Sequence, residues 1–96
     1  MLGDSSMVEV VRVNAQRETL ALEGLTEFEI LRALQNAVGG YIQVLRLRDG
    51  SIMVANEDGD IRNLPYNALA SGLAGDQIVG DVVVMSDAEM RKYMGG

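Results

Sequence analysis

At 96 residues, 48% hydrophobic and 23% charged, the chain is too short for two ordinary domains and too apolar for a disordered one; folding into one core buries roughly 60–65% of its unfolded surface. It contains no Cys and no His, which excludes disulfides, thiolate metal sites, most zinc sites and the Ser-His and Cys-His nucleophile pairs. The net charge of −6 repels phosphate backbones, so nucleic acid is set aside as a partner unless a local basic patch receives it.

Met1 to Ser6 reads as a flexible leader, and a single domain is expected over 7–94, with 95–96 as a tail. The β-branched run Val8, Val10, Val11 and Val13 predicts a strand, and Arg17 to Leu22 its hairpin partner. Thr26 with Glu29 three residues on is a capping box, Leu25 and Ile30 are spaced as a hydrophobic staple, and Ile30, Leu31, Leu34 and Val38 give a helix one apolar face. Gly39-Gly40 ends that helix near Val38.

Tyr41 to Arg48 and Ile52 to Ala55 form a hairpin across Asp49-Gly50, a pair that suits a two-residue type I′ turn. Asn56-Glu57-Asp58-Gly59 makes a second turn, and Ile61 is assigned a short further strand that Leu64-Pro65-Tyr66-Asn67 breaks off. Residues Asn67 to Leu73 are expected to form one or two helical turns. Ile78 to Met85 reads as a strand inside the sheet, with a bulge or a close backbone approach at Gly80. Ser86 and Glu89 repeat the capping box, and Met90, Tyr93 and Met94 share one face of a short C-terminal helix. No apolar run approaches the roughly 18 residues of a membrane span, and the expected location is the cytoplasm.

In order and spacing, Val38-Gly39-Gly40-Tyr41-Ile42, Asn56-Glu57-Asp58-Gly59, Leu64-Pro65-Tyr66-Asn67, Ile78-Val79-Gly80-Asp81 and Met85-Ser86-Asp87-Ala88-Glu89 resemble a family of small proteins of unknown function encoded by phages, plasmids and integrative elements of bacteria. The resemblance runs from about Val8 to Met94. It departs from the pattern at Gln43, Asp58 and Asp60. It implies a mobile-element origin and a fold, and brings no activity with it.

The candidate binding residues are Tyr41, Arg46, Arg48, Arg62, Asn63, Tyr66 and Asn67. Asn63, Tyr66 and Asn67 surround a rigid proline as the rim of a small-molecule pocket would, while Asn67 also suits the N-cap of the next helical turn. Arg46 and Arg48 share a strand face by period two; with Arg62 they make either a basic strip for phosphates or a solvated, protected sheet edge. Asn56, Asp58 and Asp60 alternate as in a calcium loop, but Gly59 falls too early for one, and an ordinary turn is the simpler reading. Asp81 is expected to hydrogen-bond backbone. The terminal Gly95-Gly96 invites comparison with ubiquitin-like and sulfur-carrier tails, against helix termination after a capped helix.

The expected architecture is α+β: a mostly antiparallel sheet of four to five strands, the Thr26 to Val38 helix packed on one face, and a short C-terminal helix. No catalytic, metal or cofactor site is assigned. The expected function is non-enzymatic binding of a host protein. A small anionic, nucleotide-like ligand held near Tyr41, Arg46, Asn63 and Tyr66 is the alternative, and a homo-oligomer interface is one place for such a pocket.

Overall fold

Eight elements follow in the computed structural model, which describes residues 8–95: β1 (Glu9–Val11), β2 (Arg17–Thr19), α1 (Glu27–Val38), β3 (Ile42–Arg46), β4 (Ile52–Asn56), α2 (Ala68–Ala74), β5 (Val82–Met85) and α3 (Asp87–Met94). The leader expected at Met1–Ser6, and Gly96 of the tail, lie outside the described residues. The strands form one antiparallel sheet in the order β2-β1-β5-β4-β3. The last strand in sequence is therefore the middle strand in space. Its composition accounts for this: Val82 and Val83 are both fully buried although they face opposite sides, and only a central strand offers cover to both.

One face of the sheet carries Val10, Ile52, Val54, Val83 and Met85, on which α1 places Ile30, Leu34 and Val38. Each of these three side chains contributes about 1.5–3 kcal/mol by burial. Met90, Tyr93 and Met94 of α3 close the same layer. On the other face Val11, Met53, Ala55 and Val82 pack against Ala70 and Ile78. The sheet thus separates two apolar layers, and the expected α+β class, with α1 packed on the sheet, is what the chain forms.

Both capping boxes are present, Thr26 with Glu29 and Ser86 with Glu89. α1 ends at Gly39 in the left-handed region. Gly95 caps α3 in the same way, its N–H donating to the Arg91 carbonyl, so the first glycine of the terminal pair terminates a helix.

Four expectations need correction. The β3–β4 connection is not a two-residue turn: Leu47 N–H donates to Ser51 O (2.8 Å) and Gly50 N–H to Leu47 O (3.0 Å), with Gly50 at φ 89°. That is a three-residue loop with the left-handed position last. The β1–β2 connection repeats it, with Ala15 at φ 73° in the equivalent place. β2 stops at Thr19 rather than Leu22, because Leu22 turns into the core.

Ile61 forms no strand and is 83% exposed. Both edges of β4 are occupied, by β3 and β5, and the 57–64 segment closes on itself through Arg62 N–H to Asp58 O and Leu64 N–H to Gly59 O. Finally, Ile78 to Met85 is not one strand. Val79 makes an isolated bridge to Tyr66, Gly80 takes φ 81°, and a Cβ on Gly80 would stand 2.8 Å from Leu64 Cδ1. Gly80 is thus the close approach read from the sequence.

Candidate functional site

The face of α1 opposite Ile30, Leu34 and Val38 carries Phe28, Arg32, Gln35 and Asn36. Phe28 and Arg32, four residues apart, sit one above the other, with the guanidinium 5.9 Å from the ring centroid. At the end of α1 the last carbonyls lack helical partners, and two side chains, one from the last residue of β4 and one from the loop that follows it, satisfy them. Asn56 Nδ2 donates to Val38 O at 3.0 Å, and Arg62 Nη1 to Gly39 O at 2.7 Å. α1 has no basic residue in its last turn, so Arg62 also supplies the positive charge that the helix C-terminus favours.

This approach requires Gly40 to be bare. A Cβ there would lie 2.9 Å from Asn56 Nδ2 and 3.0 Å from Arg62 Nη1. The 57–63 loop is thereby drawn against the helix end, and Glu57 N–H donates to Tyr41 O at 2.9 Å. The outcome is an open groove of about 720 Å³ lined by Phe28, Arg32, Gln35, Tyr41, Asp58 and Arg62, among others. Phe28 is 67% exposed and Tyr41 69%. Arg12, Arg17, Arg46, Arg91 and Lys92 each pair with a carboxylate. Arg32, Arg48 and Arg62 make no ion pair among the described residues, and of these three Arg32 and Arg62 line this groove.

Of the residues singled out from the sequence, Tyr41 and Arg62 meet in the groove and the others do not. Arg46 lies at the opposite end of β3, where Nη1 contacts Asp87 (3.1 Å) and Gly50 O (3.2 Å). Arg48 sits in the hairpin loop beside Gly75, at the end of α2. With Arg62 in a turn rather than on a strand, the expected basic strip of Arg46, Arg48 and Arg62 is not formed. Nor is the pocket expected from Tyr41, Arg46, Asn63 and Tyr66. Asn63 adopts a left-handed turn (φ 55°) that closes on Asp60 O. Tyr66 is exposed on its bridge to Val79.

Asn67 is structural. It is fully buried, its Oδ1 caps α2 by accepting from Ala70 N–H (3.0 Å), and its Nδ2 donates to Val11 O (3.0 Å) and Gly80 O (2.8 Å). Asn56 Oδ1 likewise shapes its turn by accepting from Asp58 N–H (2.8 Å). Asp81 accepts from Val13 N–H and from Arg12, at 2.9 Å each, and ties the β1–β2 hairpin to the start of β5. Hydrogen bonds from Arg12 to Glu18 and Asp81 hold that guanidinium still more firmly in its charged form.

Phe28 and Arg32 were not among the residues chosen from the sequence. The signal was there: a large aromatic at the helix position opposite the core stripe, with an arginine four residues on.

These features define a small antiparallel α+β domain with an open groove at a helix end. The family described as "Domain of unknown function (DUF3846)" matches residues 8–94, the range over which the sequence resemblance runs, and the chain belongs to that family. No curated protein and no solved structure matches the chain.

Proposed function

We propose that this domain is a non-enzymatic binding module that engages a protein partner through the groove between α1 and the 57–63 loop. The observation that carries the reading is the coincidence, in one place, of two exposed aromatic rings and two guanidinium groups without carboxylate partners. Aromatic residues and Arg dominate the energetics of protein interfaces, and in water neither ring gains anything from its exposure. Guanidinium groups whose charge no carboxylate neutralises, on a chain of net charge −6, favour an acidic patch on the partner. The resemblance to phage- and plasmid-encoded proteins supports a bacterial host protein, met in the cytoplasm, as that partner.

A small anionic, nucleotide-like ligand is the second reading. It is favoured by a groove volume within the range of ligand sites and by two guanidinium groups and two exposed rings lining the same groove, which suit a phosphate and a base.

A photo-crosslinking amino acid at position 41 of the full chain, expressed in a bacterium, tests both. A discrete protein adduct that disappears on Phe28→Ala or Arg32→Ala supports the first reading. Neither residue is in the buried core, so loss of the adduct is not loss of the fold, which circular dichroism checks. A reproducible nucleotide-sized mass released on denaturation in native mass spectrometry, without a protein adduct, would transfer the groove to the second reading. With neither result, the groove is not the binding site.

A further inference from the structure

The two edges of the sheet differ in how they are guarded. β2 is three residues long, and its Arg17 and Glu18 are held in ion pairs with Glu9 and Arg12. Short length and charge are the usual defences of an edge strand. β3 has five residues, Ile42-Gln43-Val44-Leu45-Arg46, with no proline and no bulge in its register with β4. Its one charge is directed away, because Arg46 reaches to Asp87 of α3 and to Gly50 O. Val44 in the middle is 42% exposed, and no described residue pairs with β3 on its outer side.

The register identifies the free backbone groups. Glu57 N–H donates to Tyr41 O and Leu47 N–H to Ser51 O, so the hydrogen-bonded pairs with β4 fall at positions 41, 43, 45 and 47. In an antiparallel ladder the alternate residues point the other way. Ile42, Val44 and Arg46 therefore present their N–H and C=O groups outward.

We infer that the β3 edge is the docking edge for a second copy of this chain, joined antiparallel with Val44 opposite Val44 across a two-fold axis. The strand is self-complementary in this register. Val44 meets Val44 and Ile42 meets Arg46 of the other copy, each pair exchanging two hydrogen bonds, with no like charges opposed. A peptide strand from another protein would need to match the same row of Ile42, Val44 and Arg46; a second copy matches it by symmetry, as an isologous contact requires. The join makes one continuous sheet of the two copies, and it is independent of the groove reading.

The test is the mass of the full chain in solution, by light scattering after gel filtration over a wide range of loading concentrations. The expected result is a species of twice the 10.4 kDa subunit, with Val44→Lys, which sets two ammonium groups face to face on the axis, weakening association by at least about tenfold, an effect of about 1.4 kcal/mol. Amide exchange on the wild type gives a second readout: the Ile42, Val44 and Arg46 amides should slow as concentration rises. That readout decides the matter even if the variant fails to fold. A single-subunit mass at every concentration overturns the inference. So does a dimer that survives Val44→Lys with those three amides unaffected, since association would then use another surface.

Discussion

Replacing Asn67 separates two roles that this side chain performs at once. Asn67→Ala removes the cap of α2, which contributes about 1 kcal/mol. It also strips the Val11 and Gly80 carbonyls of their Nδ2 donor in the interior, at about 1 kcal/mol or more each. With the small void added, the loss is about 3–5 kcal/mol, and at about 4–8 °C per kcal/mol for a domain of this size the melting temperature falls by roughly 12–40 °C. Asn67→Asp is the sharper variant. Asp is as good an N-cap as Asn, so if capping were all that mattered the change would be nearly neutral. In this fold Asp would lose the Nδ2 donor and turn a buried carboxylate toward two carbonyl oxygens, so it should cost at least as much as Ala. Urea unfolding followed by circular dichroism measures both. An Asp variant within about 0.5 kcal/mol of wild type would refute the bridging role, since surface-like substitutions stay in that range.

Two further outcomes follow from the geometry. Gly80→Ala must hold a side chain at φ 81° with Leu64 Cδ1 2.8 Å from its Cβ, and should lose about 2 kcal/mol or more in the same unfolding assay. Stability should also fall at both ends of the pH scale. Hydrogen bonds from Arg12 to Glu18, and from Lys92 and Tyr93 to Glu23, hold these carboxyls below their ordinary value. Their contribution is complete above the unfolded value of about 4.3 and is lost as pH drops through the lower folded value. Hydrogen bonds to Glu23 raise Lys92 and Tyr93, so their contribution holds below about pH 10 and is lost as pH rises beyond it. Melting temperatures against pH should show both limbs, and Glu23→Gln should flatten the alkaline limb and leave in the acid limb the share that Glu18 contributes.

Local chemistry made much of this fold legible in sequence. Thr26 with Glu29 and Ser86 with Glu89 are short-range signals that need no tertiary context, and both boxes form where they are written. The β-branched run of β5 announces a strand covered on both faces. What the sequence left open depends on neighbours. Whether Ile61 could join the sheet turned on β5 occupying the second edge of β4, which no local pattern reveals. Asp49-Gly50 suits two turn types, and the pairing of Leu47 with Ser51 selects the longer one. The site is legible in part: residue type points to Tyr41 and Arg62, but their meeting depends on Gly40 and on Asn56 reaching the end of α1. Phe28 lies off the apolar stripe of α1, and the helical pattern alone does not show that Tyr41 and Arg62 stand beside it.

That other side bears on function in a way the core does not. Arg62 has a structural reason to be where it is, since it satisfies Gly39 O, and its replacement would confound folding with binding. Phe28 and Tyr41 have no such reason. Neither belongs to an apolar layer of the sheet, both side chains stand largely in solvent, and among the described residues the one cation–π contact of either ring is the Arg32 guanidinium over Phe28. An exposed cation–π contact is worth about 0.5–1 kcal/mol, against the 1.5–3 kcal/mol that burying an aromatic ring would bring. Stability would therefore be served better by a polar residue at position 41 and by a helix-favouring one at position 28. What the fold does not need, a partner that covers the groove can use, and so the Phe28 and Arg32 variants, rather than Arg62, separate binding from folding.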